Sequence, residues 1–325
     1  MDPACTPMTQ SSTAAAVIAP PSPPPASEQA ALRPTLAGKL VLTAMFWGGT
    51  FIAGRVLAQA MPLMSAAFCR FLVAAVLLVL VAKKFEGGLP RLNRSQLATT
   101  AFLGFTGIFL YNLCFFGALA RIPAGRTALF VSLNPIMTAL AASLVFHERL
   151  GLRRWAGIAV AMLGAMVVIT RGDFAGTLHD FHQSFGAGEM LMSLAVLSWA
   201  AYTLGSRKAM ETLSPIAATT YATLWGLAFL SLGAAGEIVS VPWASFGWKI
   251  WLSILYLGAI GTVVGFIWYY QGIRAVGPSR TAIFTNLVPA FGVLLGALLL
   301  GENILASMLI GGALSAIGVS LTNRK

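Results

Sequence analysis

The chain has 325 residues, 58% of them hydrophobic and only 10% charged, with a mean hydropathy of +0.81. A soluble domain carries roughly 25% charge, so this chain cannot cover itself with a wetted surface, and lipid must be the solvent for most of it. The net charge of +11 lies mainly in short connections between apolar runs, with no basic stripe interleaved with stacking aromatics, which excludes nucleic acid as a partner and reads as a topology signal.

Residues 1–36 hold eight of the sixteen prolines, among them Pro20, Pro21 and Pro23, set in Ser, Thr and Ala. Such a segment buries too little apolar surface to order itself. It also lacks the charged stretch and apolar core of a signal peptide. A disordered cytoplasmic tail is expected.

Apolar runs follow at about 39–59, 63–82, 96–118, 124–146, 151–170, 188–206, 214–236, 248–271, 279–300 and 304–322. Each has the length of roughly 20 residues that a spanning helix needs. Pro62, Pro123, Pro215 and Pro278 stand near the starts of four runs, where a missing N–H costs nothing. Ten spans place both termini on one side. The tail and the connections on its side carry fifteen Lys and Arg and the opposite side five, so the termini are expected to be cytoplasmic. The fold expected is an all-α membrane protein of ten transmembrane helices, in the inner membrane of the cell, plausible as a monomer.

The second half repeats the first. Arg126-Thr127-Ala128-Leu129-Phe130 recurs as Arg280-Thr281-Ala282-Ile283-Phe284, an offset of 154 that also matches Pro135 with Pro289, Glu148 with Glu302, and Gly104 and Gly107 with Gly258 and Gly261. Upstream the offset slips slightly: Pro62 pairs with Pro215, Trp47 with Trp199, Arg55 with Arg207. The expected organisation is a tail over 1–36, five-helix repeats over 37–170 and 188–325, and an extracytoplasmic loop over 171–187. Five helices is an odd number, so the second repeat is expected to be inverted in the membrane. Such symmetry serves alternating access.

The run Trp47-Gly48-Gly49-Thr50-Phe51, the run Ser132-Leu133-Asn134-Pro135-Ile136-Met137-Thr138-Ala139 leading to Glu148-Arg149, and its echo ending in Gly301-Glu302 resemble the EamA domains of the drug/metabolite transporter superfamily. The resemblance covers about residues 38–324, and the tandem pattern makes it specific. It implies a ten-helix metabolite exporter with a central cavity lined by the third, fourth, eighth and ninth helices plus the first and sixth. The exporters of aromatic and other amino acids are the members it matches.

Intramembrane charges mark substrate and ion paths, and none of the ten Asp and Glu lies mid-span. A lipophilic cation would want a buried carboxylate, and a proton-coupled pump a titratable one. A neutral or zwitterionic solute, moved by uniport or exchange, is therefore expected. A drug or cation efflux transporter is the alternative within transport, and composition leaves a membrane channel open. The mid-spans offer aromatics and amides instead: Trp47 and Thr50, Tyr111, Asn112 and Phe115, Trp199 and Tyr202, then Trp268 and Tyr269. Indole and phenol edges can hydrogen-bond a solute while their faces stack on it, although Trp268 and Tyr269 equally suit the interfacial belt. Pro135 and Pro289 fall mid-helix, where each removes an N–H. They read as hinges, with Asn134 beside Pro135 as a further solute contact whose repeat partner is Val288.

Arg126 and Arg280 open the fourth and ninth helices, as partners for a substrate carboxylate, gate charges or headgroup anchors. Glu148 and Glu302 are expected to pair with loop arginines. Arg70, near the start of the second span, is expected to snorkel toward the interface. Cys5, Cys69 and Cys114 form no ligand pattern, and the loop histidines His179 and His182 make no metal site. No cofactor is implied, and no motif reads as catalytic.

Overall fold

The computed structural model describes residues 34–146, 151–173, 186–276, 284–285 and 287–323. The tail, His147, Glu148, Arg149, the loop with His179 and His182, Arg280 and Asn286 lie outside the described residues. The described chain is helical without a strand. Its helices are α1 (Pro34–Ala60), α2 (Leu63–Glu86), α3 (Arg94–Leu119), α4 in two pieces (Ala124–Val131 and Asn134–Phe146), α5 (Leu152–Ile169), α6 (Ala187–Met210), α7 (Pro215–Glu237), α8 (Trp248 to Val276 in three pieces), α9 (Val288–Leu300) and α10 (Ala306–Asn323). Six helices, α1, α2, α3, α6, α7 and α8, are long and apolar enough to cross a membrane, and shorter apolar helices accompany them.

Local sequence sets the ends. Asn93 and Gln96 form a capping box at the start of α3, and Ser214 caps α7 just before Pro215. α2 stops at Gly87, whose φ of 72° only glycine adopts without strain. Lys83 and Lys84 fill its last turn, where they favour the negative end of the helix dipole.

The prolines of the fourth and ninth spans are placed differently from expectation. Neither interrupts a continuous helix. Pro135 is the second residue of Asn134–Phe146, and Pro289 the second of Val288–Leu300. There its missing N–H was never needed. The chain turns just before each: Leu133 N–H bonds the Phe130 carbonyl at 3.0 Å, and Leu287 N–H bonds Phe284 at 3.1 Å.

Equivalent helices of the two halves pack against each other. α2 lies along α7 and α5 along α10, while α9 meets the first piece of α4. Each pair runs antiparallel. Glu237, ending α7, accepts from the Ser65 N–H at the start of α2, and Glu86, ending α2, accepts from Ser214 at the start of α7. Glu302, just past α9, reaches the first N–H groups of α4. In α5 and α10, Gly164 faces Gly311 while Gly157 faces Gly318. The remaining contacts also exchange: α1 packs on α8 and α9, as α6 packs on α3 and the second piece of α4.

Two spans depart from regular helix at matching places. Gly104–Leu110 in α3 and Tyr256–Val264 in α8 are π-helical. The glycines explain why helices can cross there. A Cβ on Gly104 would lie 2.7 Å from the Ala222 carbonyl oxygen of α7, and one on Gly258 would lie 2.8 Å from the Arg70 carbonyl oxygen of α2.

The α5–α10 contact rests on backbone meeting backbone, the small-residue packing that membrane helices use. A Cβ at Gly164 would fall 2.6 Å from the Gly311 carbonyl oxygen, and one at Gly311 would fall 2.5 Å from that of Gly164. Gly164→Leu is therefore expected to cost about 1–3 kcal/mol by overpacking, read as a lower thermal midpoint of the detergent-purified protein. An unchanged midpoint would show that the pair can separate freely.

Candidate functional site

The aromatic side chains gather in two groups. On α3, Tyr111 and Phe115 are one turn apart, so they share a face and stack at 5.8 Å with 16° between planes. Phe51 of α1 meets Phe115 edge-on at 5.4 Å, and Trp199 of α6 lies 5.2 Å from Tyr111 and 5.1 Å from Tyr202. The Tyr202 ring covers Gly107 in the α3 π-segment. Four residues singled out from the sequence, Tyr111, Phe115, Trp199 and Tyr202, thus form one continuous wall between α3 and α6.

The second group joins α1 to α8. Trp47 lies 5.8 Å from Phe266 and 5.3 Å from Tyr269. Its indole N–H donates to the Gly261 carbonyl at 2.9 Å, and the Thr50 hydroxyl donates to the Trp47 carbonyl at 2.6 Å. Both polar groups therefore serve the backbone in this conformation. Trp268 stacks near Phe46, and Lys39 sits over its ring at 6.0 Å while bonding the exposed Gln271, a belt-like setting. Asn134 leaves its side-chain oxygen buried without a hydrogen-bond partner, a free acceptor beside the break in α4.

Arg70 departs from expectation. Its side chain does not snorkel along α2 to the interface. It turns inward, donating from Nη1 to Asn112 Oδ1 of α3 at 2.9 Å and from Nη2 to Thr262 Oγ1 of α8 at 3.5 Å. Asn112 in turn donates to the Ile108 carbonyl and Thr262 to the Leu257 carbonyl, both at 2.8 Å. These carbonyls belong to the two π-segments, so the guanidinium bridges the irregular stretches of both halves. Its Nε is buried and unpartnered, and no Asp or Glu among the described residues pairs with it. Sequence reading missed this residue because its depth was judged from distance to the start of the span alone.

At one end of the bundle the charges are paired. Arg126 meets Glu189 of α6 at 2.9 Å with both side chains about 95% buried (relative exposures 4% and 5%). Arg55 meets Glu302 at 3.4 Å and also donates to the Leu119 and Ile122 carbonyls at the end of α3. The Glu302 carboxylate accepts from the Ala124 and Gly125 N–H groups at 2.7 and 2.9 Å, so it neutralises the positive end of the α4 dipole. Glu302 was expected to pair with a loop arginine; its partner is on α1, and it caps α4 as well. Together these residues tie α1, α3, α4, α6 and α9 at one end.

The comparisons with known proteins fit this architecture. The model of the EamA-like transporter family matches residues 37–170 and again 186–324. The chain belongs to that family. Relatives include the uncharacterized transporter YyaM of Bacillus subtilis (strain 168), 28% identical over 85% of this chain and 89% of its own length. A protein of Streptantibioticus cattleyicolor named a probable terminal-alkyne amino-acid exporter is 28% identical over 88% of this chain and 92% of its own. A Salmonella typhimurium protein named a probable amino-acid metabolite efflux pump is also 28% identical, over 86% and 91% respectively. A crystal structure at 19% identity shares the fold with a TM-score of 0.61, over 89% of this chain and 98% of that one. This chain is thus a multi-pass membrane transporter of the EamA-like family.

A buried ion pair becomes a liability when one partner is removed, at roughly 3–5 kcal/mol, yet apolar replacement of both is often neutral. Arg126→Met and Glu189→Met are therefore each expected to lower the thermal midpoint sharply, and the double variant carrying both to recover most of the loss. Midpoints measured around this double-mutant cycle decide the matter; additive effects would mean the two side chains are not coupled.

Proposed function

We propose that this transporter is an alternating-access carrier exporting small zwitterionic or neutral metabolites, foremost amino acids with aromatic or apolar side chains, by uniport or exchange. The observation that carries the substrate reading is the wall of Tyr111, Phe115, Trp199 and Tyr202 between α3 and α6, facets on which an aromatic side chain can stack. Two relatives bearing amino-acid names support it.

Alternating access rests on the antiparallel pairing of equivalent helices. α2 against α7, the first piece of α4 against α9, and α5 against α10 are the contacts that an inverted repeat makes about its pseudo-two-fold axis. Two inverted five-helix halves that exchange conformations open one site to each side in turn. In this reading Arg126 with Glu189 and Arg55 with Glu302 act as a gate at the end of the bundle where α1 finishes, supported by their ion pairs. The fifteen-to-five distribution of Lys and Arg supports cytoplasmic termini. Pro135 stands at the start of the second piece of α4, beside Asn134, and Pro289 at the start of α9, and both act as hinges. Drug-cation efflux is the weaker reading, because the mid-span charge is the cation Arg70 rather than a carboxylate.

In proteoliposomes, saturable counterflow of labelled L-phenylalanine or L-tryptophan is expected, which a channel would not give. A pH gradient alone is expected to drive no uptake, since no Asp or Glu lies mid-span. Loss of one stacking face costs about 0.5–1.5 kcal/mol beyond area, so Trp199→Ala is expected to raise the half-saturating concentration about tenfold, whereas Trp268→Ala leaves it within about twofold. Failure of phenylalanine, tryptophan and methionine to compete would remove the amino-acid assignment.

A further inference from the structure

We infer that Arg70, held between Asn112 and Thr262, is the anchor for a carboxylate group on the transported solute. The inference rests on the carrier reading above and adds the group by which the solute is recognised.

Three observations lead there. First, the charge has no counter-ion among the described residues. Arg70 has only neutral acceptors, one of them at 3.5 Å, and no described Asp or Glu pairs with it. An unmatched cation at membrane depth is costly and is kept for a function. Elsewhere in the same bundle, buried Arg126 is matched by Glu189. That arginine has a carboxylate partner within the protein, and Arg70 has none among the described residues.

Second, one edge of the guanidinium is left open. Nη1 is held by Asn112, while Nε is buried and unpartnered and Nη2 makes only the long contact to Thr262. Nε and Nη2 share an edge, and that fork matches the two oxygens of a carboxylate. A single guanidinium with neutral neighbours suits one negative charge, which favours a carboxylate over a phosphate dianion.

Third, the fold itself does not need the cation. The two crossings over the π-segments are equivalent: the Arg70 carbonyl abuts Gly258 as the Ala222 carbonyl abuts Gly104. By these equivalent contacts Arg70 corresponds to Ala222, and by the offset of 154 Asn112 corresponds to Phe266 and Thr262 to Ile108. One half therefore builds this crossing from three apolar side chains and the other from a polar triad. A group required for packing would recur in both halves; this one does not. The triad also adjoins the aromatic wall through consecutive residues, Tyr111 in the wall and Asn112 on the arginine. A carboxylate on Arg70 would place an attached aromatic side chain toward Tyr111 and Trp199. Because Nε is shielded in this conformation, the solute reaches it when the halves rock apart.

The test uses the full chain purified in detergent, with thermal midpoints measured against 3-phenylpropionate, L-phenylalanine, L-phenylalaninamide and phenethylamine. The two carboxylates are expected to raise the midpoint and the two carboxylate-free compounds to leave it unmoved. Charge-assisted hydrogen bonds are strong enough that Arg70→Gln is expected to raise the half-saturating carboxylate concentration at least about tenfold, and Arg70→Lys to fall between. Asn112→Asp supplies a built-in counter-ion. It gives up the Nδ2 donor to the Ile108 carbonyl but is expected to lose the carboxylate response, a result that settles the matter even if Arg70→Gln does not fold. Equal stabilisation by L-phenylalanine and its amide, no response to either carboxylate, or an undiminished response in Asn112→Asp would each overturn the anchor. Arg70-dependent binding of 3-phenylpropionate without amino-acid counterflow in liposomes would instead retire the amino-acid reading and leave the anchor standing.

Discussion

Every polar group of a backbone in hydrocarbon needs a partner from within the protein, and in this chain that constraint bears hardest on two short π-helical stretches. There the regular ladder is interrupted, and side chains capture its carbonyls: Ser198 takes Thr106, Trp47 takes Gly261, Asn112 takes Ile108 and Thr262 takes Leu257. Two of these donors come from a different helix. Satisfying the irregular backbone therefore fastens α6 to α3 and α1 to α8, the very pairs between which the two aromatic groups form. π-stretches inside helices are frequent at functional sites. Here the reason is visible: they turn main-chain demand into a fixed position for Trp47, Asn112 and Thr262.

The apolar helices and the tandem halves were legible in the sequence because both follow from local composition. Apolar length marks a helix whatever its neighbours, and a duplicated pattern such as Arg126-Thr127-Ala128 and Arg280-Thr281-Ala282 survives without knowledge of contacts. Residues matched by periodicity also came through: Tyr111 and Phe115 sit one turn apart on one face, as do Trp199 and Tyr202. What was hidden depends on contacts distant in sequence. The environment of Arg70 is made by Asn112, 42 positions away, and Thr262, 192 positions away, and no window along α2 contains either. Pro135 was legible as an interruption, but a proline restricts its predecessor as well, and the chain resolves that by ending one helix and starting another rather than by kinking one.

The same distinction separates what the two halves share from what they do not. Shared features, the paired glycines at Gly104 and Gly258 and the antiparallel packing of equivalent helices, are those any two-fold assembly of this backbone needs. The unshared ones, Arg70 against Ala222 and Asn134 against Val288, bring polarity into only one half. A symmetric scaffold can exchange conformations between its halves, but a single solute with distinct ends requires an asymmetric lining. The duplicated frame and the unduplicated polar groups thus answer two separate demands on one chain.

The end charges extend this argument. In the paired network, Arg55, Arg126 and Glu302 have repeat counterparts Arg207, Arg280 and Glu148, whereas Glu189, by the offset that joins Trp47 to Trp199, falls on Ala37. Under an inverted arrangement the counterpart end has two arginines and one carboxylate, against two of each at the end tied by Arg126–Glu189 and Arg55–Glu302. Opening the latter end breaks two ion pairs, one of them buried. One acidic residue, present in one half and absent from the other, therefore makes the two sets of repeat-matched charges unequal in the ion pairs they can form.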